Sequence, residues 1–420
     1  MVLIIEVCGS VAVLGMWVGY RSLYTFRERV FKATGEGIRN ASPLPSGVSY
    51  TVVVPAYNEE NNIVACARAA LEATDLDSTR FQVIVVDDMS KDSTMKVITD
   101  FRATLSEEDQ KRLKIVSAGP RPTNEVWLGK TWAVWQASQH ATGDYIVFVD
   151  ADVRIKKNGL DKAVACAHKE DAKLLSGDVA FDCVGWEWLV QPVILQNLVI
   201  NNDHRISNDQ SQPVAAAAGH VMIFNRELYV AIKGHTPVRD HVVEDVMIAY
   251  YVKVMARQKV LYYDFTDVAT IQMYANFTEM QEGYSKNIYL AFDRSALMVV
   301  GLVTLNLVAW VGPVLATVGG AAHMAIEGKA ALAMGSVMVG SGLGCTAIQY
   351  SVRHDMDRAG RIPNRLSLLQ PVGGVLVCYL ASLSLFKGLT GINWTWKGRP
   401  LTMPGEEAST DKKEEEKKKD

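Results

Sequence analysis

The chain has 420 residues, a formal net charge of −3 and 49% hydrophobic residues. This length accommodates two or three domains, and the charge shows no global basic bias of the kind that nucleic-acid binding requires. The six cysteines, Cys8, Cys66, Cys166, Cys183, Cys345 and Cys378, are scattered without a C-x-x-C. They read as buried thiols rather than disulfides or a zinc site, which fits a catalytic domain in a reducing cytoplasm.

The first stretch, Val2–Tyr20, is apolar enough to cross a bilayer and holds one charged residue, Glu6. No basic region precedes it, whereas Arg21, Arg27, Arg29 and Lys32 follow it. A cleaved signal peptide has the opposite order. Residues 1–24 are therefore expected to form a retained anchor, and residues 25–48 a basic linker on the cytoplasmic side.

Residues 49–290 read as a soluble α/β domain. Tyr50-Thr51-Val52-Val53-Val54 predicts a buried parallel strand stopped by Pro55. Asn61–Ala73 has helical periodicity, Phe81–Val86 reads as a second strand and Lys91–Arg102 as a second helix. Ile115-Val116 is a short strand, Thr131–His140 a helix, and Asp144–Val149 a strand ending at Asp150. Leu174–Phe181 and Val221–Phe224 read as further strands. Strands alternating with helices predict an open, Rossmann-like, mostly parallel sheet with flanking helices.

Two of these strands end in carboxylates, Asp87-Asp88 and Asp150-Ala151-Asp152. Facing a core, such groups would be costly. At the carboxyl edge of a parallel sheet they face the crevice where ligands bind. The pair spaced i, i+2 suits one hard divalent cation, which in turn holds a diphosphate. This predicts nucleotide-dependent chemistry.

Further along, Trp186–Leu195 is too short to span a membrane, and its two Trp with aliphatic neighbours suit an interfacial segment or a core helix. Three charge-free apolar stretches follow, Ala296–Ala322, Ala330–Tyr350 and Leu366–Phe386. They predict a membrane domain over 295–388 beside the α/β domain. The loop 351–365 carries Arg353, Arg358, Arg361 and Arg365, which places it inside with residues 25–294. Parity then puts the chain's end outside, unless Pro371 and Gly373-Gly374 let the last stretch bend back. Residues 389–420 form a tail, whose highly charged part from about 405 is expected to be disordered.

Taken in order, the segments Pro55-Ala56-Tyr57-Asn58-Glu59-Glu60, Asp87-Asp88, Gly129-Lys130, Asp150-Ala151-Asp152 and Val243-Glu244-Asp245 resemble the family-2 glycosyltransferases with the GT-A fold. The resemblance covers roughly Tyr50 to Asn287. Ala216–His220, Arg226-Glu227, Gly234-His235 and Trp396-Lys397-Gly398-Arg399 narrow it to membrane-bound enzymes that glycosylate lipids such as hopanoids, carotenoids or ceramide. The resemblance implies nucleotide-sugar binding by Pro55, Tyr57, Glu59, Asp87, Asp88, Lys130 and Asp150, with either Asp87 or Asp88 accepting from uracil. It implies a divalent cation, Mn2+ or Mg2+, at Asp152 and Asp150. Asp245 would be the base, with Glu244 beside it, because a sugar acceptor hydroxyl is a poor nucleophile until its proton is taken. Gly219, His220, His235, Tyr284 and Lys286 resemble acceptor-side positions. Processive members carry Gln-x-x-Arg-Trp where this chain has Gln281–Asn287 without Arg-Trp.

The sequence therefore predicts an integral protein of a bacterial-type inner membrane with its catalytic domain in the cytoplasm. It would make an inverting transfer of one sugar from a UDP-linked donor to a lipid hydroxyl. The rival readings are a processive polysaccharide synthase and a catalytically inactive membrane scaffold.

Overall fold

The computed structural model describes residues 2–201, 203–392 and 394–400; the tail expected to be disordered lies outside the described residues. Among the described residues ten strands precede the last apolar helix. They are β1 (Tyr50–Ala56), β2 (Phe81–Asp87), β3 (Leu113–Ser117), β4 (Tyr145–Val149), β5 (Val153–Ile155), β6 (Leu174–Asp178), β7 (Ala180–Phe181), β8 (Val221–Asn225), β9 (Val260–Asp264) and β10 (Ala269–Ile271). The chain divides into two compact units.

The first unit comprises residues 35–179, 206–271 and the described residues from 394 onward. Its centre is a seven-stranded sheet in the order β3-β2-β1-β4-β8-β6-β9. β3, β2, β1 and β4 run parallel, β8 is antiparallel to both its neighbours, and β6 and β9 run parallel. β1 and β2 are buried on both faces, which is why they read as unbroken apolar runs. Val53, Ile84, Val86, Ile146, Phe148 and Phe224 pack with Ala133, Val134 and Ala137 of the helix Gly129–Ser138. Pro55 does not stop β1: pairing with β4 ends at Val53, and only the β2 side continues to Ala56. A proline is tolerated where a strand is no longer flanked on both sides. Because β8 runs in reverse, it starts where β4 ends, at the sheet's carboxyl edge.

The second unit comprises residues 2–34, 180–205 and 272–392. The helix Val2–Arg39 runs without a break through the first half of the expected linker. Trp17, Tyr24, Phe31 and Ile38 are buried at 1% exposure or less. Their seven-residue spacing keeps one side of the helix covered. Among the described residues three stretches are long and apolar enough to cross a membrane, Leu3–Arg39, Ala296–Arg358 and Ser367–Thr390. The middle one is a hairpin in which the 3-10 turn Gly328–Ala331 joins the helices Ala296–Glu327 and Leu332–Arg358. Those helices touch backbone to backbone, since a Cβ on Gly320 would lie 2.7 Å from the Gly335 carbonyl oxygen.

The units cut across the expected boundary of one continuous catalytic domain. Residues 180–205 and everything from 272 to 392 pack with the helical unit, and residues 394–400 pack with the sheet. The segment beginning at Trp186 is a core helix, Glu187–Asn201, with Val190, Val193 and Leu195 buried. It meets the helix Gln370–Thr390 so closely that a Cβ on Gly373 would sit 2.1 Å from the Leu189 carbonyl oxygen. Two of the four arginines that place the loop 351–365 on the inner side by charge are internal. Arg361, 1% exposed, pairs with Glu28 at 3.2 Å and covers the Phe31 ring, and Arg353 donates to the Pro363 carbonyl. Orientation by loop charge therefore rests on Arg358 and Arg365, both exposed.

Candidate active site

Four segments of the sheet unit bring the acidic residues to its carboxyl edge, the ends of β1, β2 and β4 and the start of the helix Glu244–Tyr250, and the start of β8 joins them there. The Asp150 amide donates to the His220 carbonyl at 3.2 Å, which sets Gly219-His220 beside the Asp150-Asp152 pair. Lys130, in the first turn of Gly129–Ser138, is the hub. Its Nζ lies 2.8 Å from Asp150 Oδ1 and 2.9 Å from Glu244 Oε1. Burial opposes its charge, yet Asp150 and Glu244 hold its pKa well above the ordinary lysine range.

The three acidic groups around this lysine differ in character. Burial would raise Glu244, but Lys130 outweighs it and holds that carboxyl below its usual range. Asp245 is pushed up to about 6 by burial and by Glu244. Its Oδ2 accepts from the Gly219 amide and its Oδ1 from the Val246 amide, each at 2.8 Å, so the carboxylate has a fixed orientation. Asp152 is raised well above the carboxylate range by burial, by Asp150 and by Glu59.

Among the described residues no group of three or more His, Cys, Asp or Glu forms a metal cage. The Asp150-Asp152 pair nevertheless fits a hard cation that completes its shell with phosphate oxygens. Asp152 Oδ1 is buried with no hydrogen-bond partner, and a cation would satisfy that oxygen and relieve the crowding of Asp150, Asp152 and Glu59.

The two candidates for base recognition separate. Both oxygens of Asp87 face the Ser90 amide, at 3.2 and 3.3 Å, so this side chain shapes its own loop. Asp88 instead has a buried Oδ1 without a hydrogen bond, while its Oδ2 pairs with Arg399. The Arg399 guanidinium lies 3.7 Å from the centre of the Tyr57 ring, and Lys397 Nζ lies 2.7 Å from Glu59 Oε1. Tyr57, Glu59 and Asp88 therefore meet in one place, and Arg399 and Lys397 join them. In the sequence Trp396–Arg399 serves only as a family mark, and the two cations bracketing a glycine are the signal there for this contact.

Other expected positions lie elsewhere. His235 is 1% exposed and hydrogen-bonded to the Tyr229 hydroxyl at 2.7 Å, among Phe148 and Phe224. Burial lowers it to about 4, so it is a neutral core residue and does not face the crevice. His220 is nearer the chemistry, its Nδ1 3.9 Å from Asp150 Oδ2, and burial lowers its pKa. Tyr284 belongs to the helical unit, where it is buried and donates to Gln191 Oε1; Lys286 is half-buried on the same helix, Phe277–Ala291.

A mostly parallel sheet with acidic strand ends and a lysine at a helix start is an α/β architecture that takes its ligands at the carboxyl edge. The chain carries a domain of that kind: residues 51–232 match the family described as glycosyl transferase family 2. Its relatives include the 4,4'-diaponeurosporenoate glycosyltransferases of Staphylococcus haemolyticus and Staphylococcus aureus. The first is 22% identical over 62% of this chain and 66% of that protein. The second, from strain USA300, is 25% identical over 57% and 60%. The chain thus spans less than two thirds of the length of these curated relatives. Among solved structures, a mannosyltransferase from Pyrobaculum calidifontis in complex with GDP-Man and Mn2+ aligns with a TM-score of 0.48 at 18% identity, covering 92% of this chain and 99% of that one. Glucosyl-3-phosphoglycerate synthase from Mycobacterium tuberculosis aligns at 0.37 and 19% identity, covering 59% and 80%.

Proposed function

We propose that the chain transfers a single sugar from a UDP-linked donor to the hydroxyl of a membrane lipid at the cytoplasmic face of a bacterial-type inner membrane. The observation that carries the reading is Asp245: a fixed carboxylate, pushed up to about 6, beside the lysine that also holds Asp150. A general base works best with a pKa near the operating pH. Relatives named as glycosyltransferases of a diaponeurosporenoate support a lipid acceptor.

In this reading the acceptor hydroxyl attacks the anomeric carbon, its proton passes to Asp245, and the bond from that carbon to the diphosphate breaks. One displacement inverts the anomeric centre. Lys130 offsets charge on the leaving diphosphate, assisted by the amides of its helix start. Glu244 keeps Lys130 in place. Tyr57 and Glu59 hold the nucleoside, Pro55 shapes that loop, and Asp88 rather than Asp87 accepts from the base. Asp152 with Asp150 would hold Mn2+ or Mg2+, which neutralises the diphosphate when bound.

The test is transfer from radiolabelled UDP-sugar in membranes containing the protein. One new lipid species carrying one sugar is expected. A ladder of products would mean a processive synthase, and donor neither consumed nor bound would mean a scaffold.

A further inference from the structure

The chain beyond the last apolar helix contributes to the crevice through a two-stranded ribbon, Thr395–Trp396 paired with Arg399–Pro400. Lys397 and Gly398 join the strands with φ of 46° and 76°. Positive φ at both positions gives the tight turn that matches strand twist, and Gly398 adopts it without steric cost. The ribbon thereby presents Arg399 to Asp88 in a defined geometry. One guanidinium nitrogen pairs with Oδ2 and the other donates to the Asp88 carbonyl at 2.8 Å. The ring of Tyr57 beneath the guanidinium sets its plane.

We propose that Arg399 is a positioning residue that makes the donor site select uracil over cytosine. The proposal rests on the reading of Asp88 as the acceptor for the base. The Asp88 side chain is 4% exposed. With Oδ2 held by Arg399, the carboxylate cannot turn, and Oδ1 is the oxygen left to accept. A buried acceptor without a partner is costly, and a ring N–H offered to it removes that cost. Uracil carries an N–H at ring position 3. Cytosine carries a lone pair there, so its approach sets acceptor against acceptor. Were Asp88 free to rotate, it would turn away from cytosine and the distinction would weaken. The neighbouring backbone is shaped around this pair: a Cβ on Gly129 would fall 2.3 Å from Asp88 Oδ2 and 2.9 Å from Arg399 Nη1. No side chain fits between the helix start and the ion pair.

The experiment measures UDP and CDP binding to the full-length protein in detergent by calorimetry, with Mn2+ present. Hydrogen bonds to charged groups give the wild type a preference for UDP of about 10- to 100-fold. Arg399→Gln is expected to bring the ratio of the two affinities close to one, mostly through weaker UDP binding. Retained CDP binding shows that the variant is folded. Arg399→Lys keeps the charge but loses the planar fork, so it should give an intermediate ratio, and it answers the question if the Gln variant does not fold. An unchanged ratio in the Arg399 variants, or tighter UDP binding, overturns the proposal. Asp88→Asn separates the two layers. If it leaves the ratio unchanged, the base-acceptor reading itself fails. If it abolishes the preference while the Arg399 variants do not, only the positioning role fails.

Discussion

Asp245→Asn is the substitution that most directly probes the proposed chemistry. Both carboxylate oxygens accept a backbone N–H, from Gly219 and Val246. Asparagine keeps one acceptor oxygen, so one of these bonds survives and the other amide meets an NH2 group, at about 1 kcal/mol. The charge change works the opposite way. Asp245 is raised to about 6 in the fold, against an ordinary value near ~4. The fold therefore disfavours the charged form, and stability linked to this carboxyl falls as pH rises from about 4 to 6. Removing the charge relieves that cost, so the variant should melt within a few degrees of wild type at pH 7. Turnover is another matter. Loss of a general base costs about 10²- to 10⁴-fold, or roughly 3–5 kcal/mol on the barrier. The assay is single-sugar transfer at saturating donor, with donor affinity measured separately. Wild-type turnover should rise with pH through about 6 and then level, and the variant should lose that limb. Intact turnover with weakened donor binding would refute the base assignment.

Three further outcomes follow from other parts of the molecule. Asp152→Asn, or chelation of the wild type with EDTA, should abolish transfer without unfolding, read by activity beside a thermal melt; full activity after either treatment would remove the cation from the site. Arg361→Ala leaves buried Glu28 without its 3.2 Å partner, and breaking such a pair costs about 3–5 kcal/mol; a melting temperature equal to wild type would contradict that energetic reading. A cysteine placed at exposed Arg358 should react with a membrane-impermeant thiol reagent only after the cells are opened, and labelling in intact cells would reverse the proposed orientation.

Much of the sheet was legible because a strand buried on both faces has to be apolar throughout, and because carboxylates at strand ends have few other places to go. Tyr50–Val54 and Phe81–Val86 show the first effect, and Asp87-Asp88 and Asp150-Asp152 the second. What escaped depends on contacts between residues distant in sequence. The choice between Asp87 and Asp88 turns on which of them meets the Ser90 amide and which meets Arg399, and both have the same local composition. His235 carries the same motif context as His220 but packs among aromatic rings. Arg353 and Arg361 count as loop charge until their burial is known. The long first helix was hidden for another reason: its buried stripe repeats every seven residues across a charged segment, so hydropathy alone ended the helix near Tyr20.

The ion pair between Asp88 and Arg399 joins residues 311 positions apart, with every candidate membrane span beyond the first lying between them. During synthesis the acidic groups emerge early, and the guanidinium emerges only after the last apolar helix has left the ribosome. A nascent chain, or one truncated after residue 392, therefore has its acidic crevice without Arg399. On the proposed reading the base-binding corner is therefore completed only at the end of translation, and a fragment cut at the end of the sheet region lacks the Arg399 that faces Asp88.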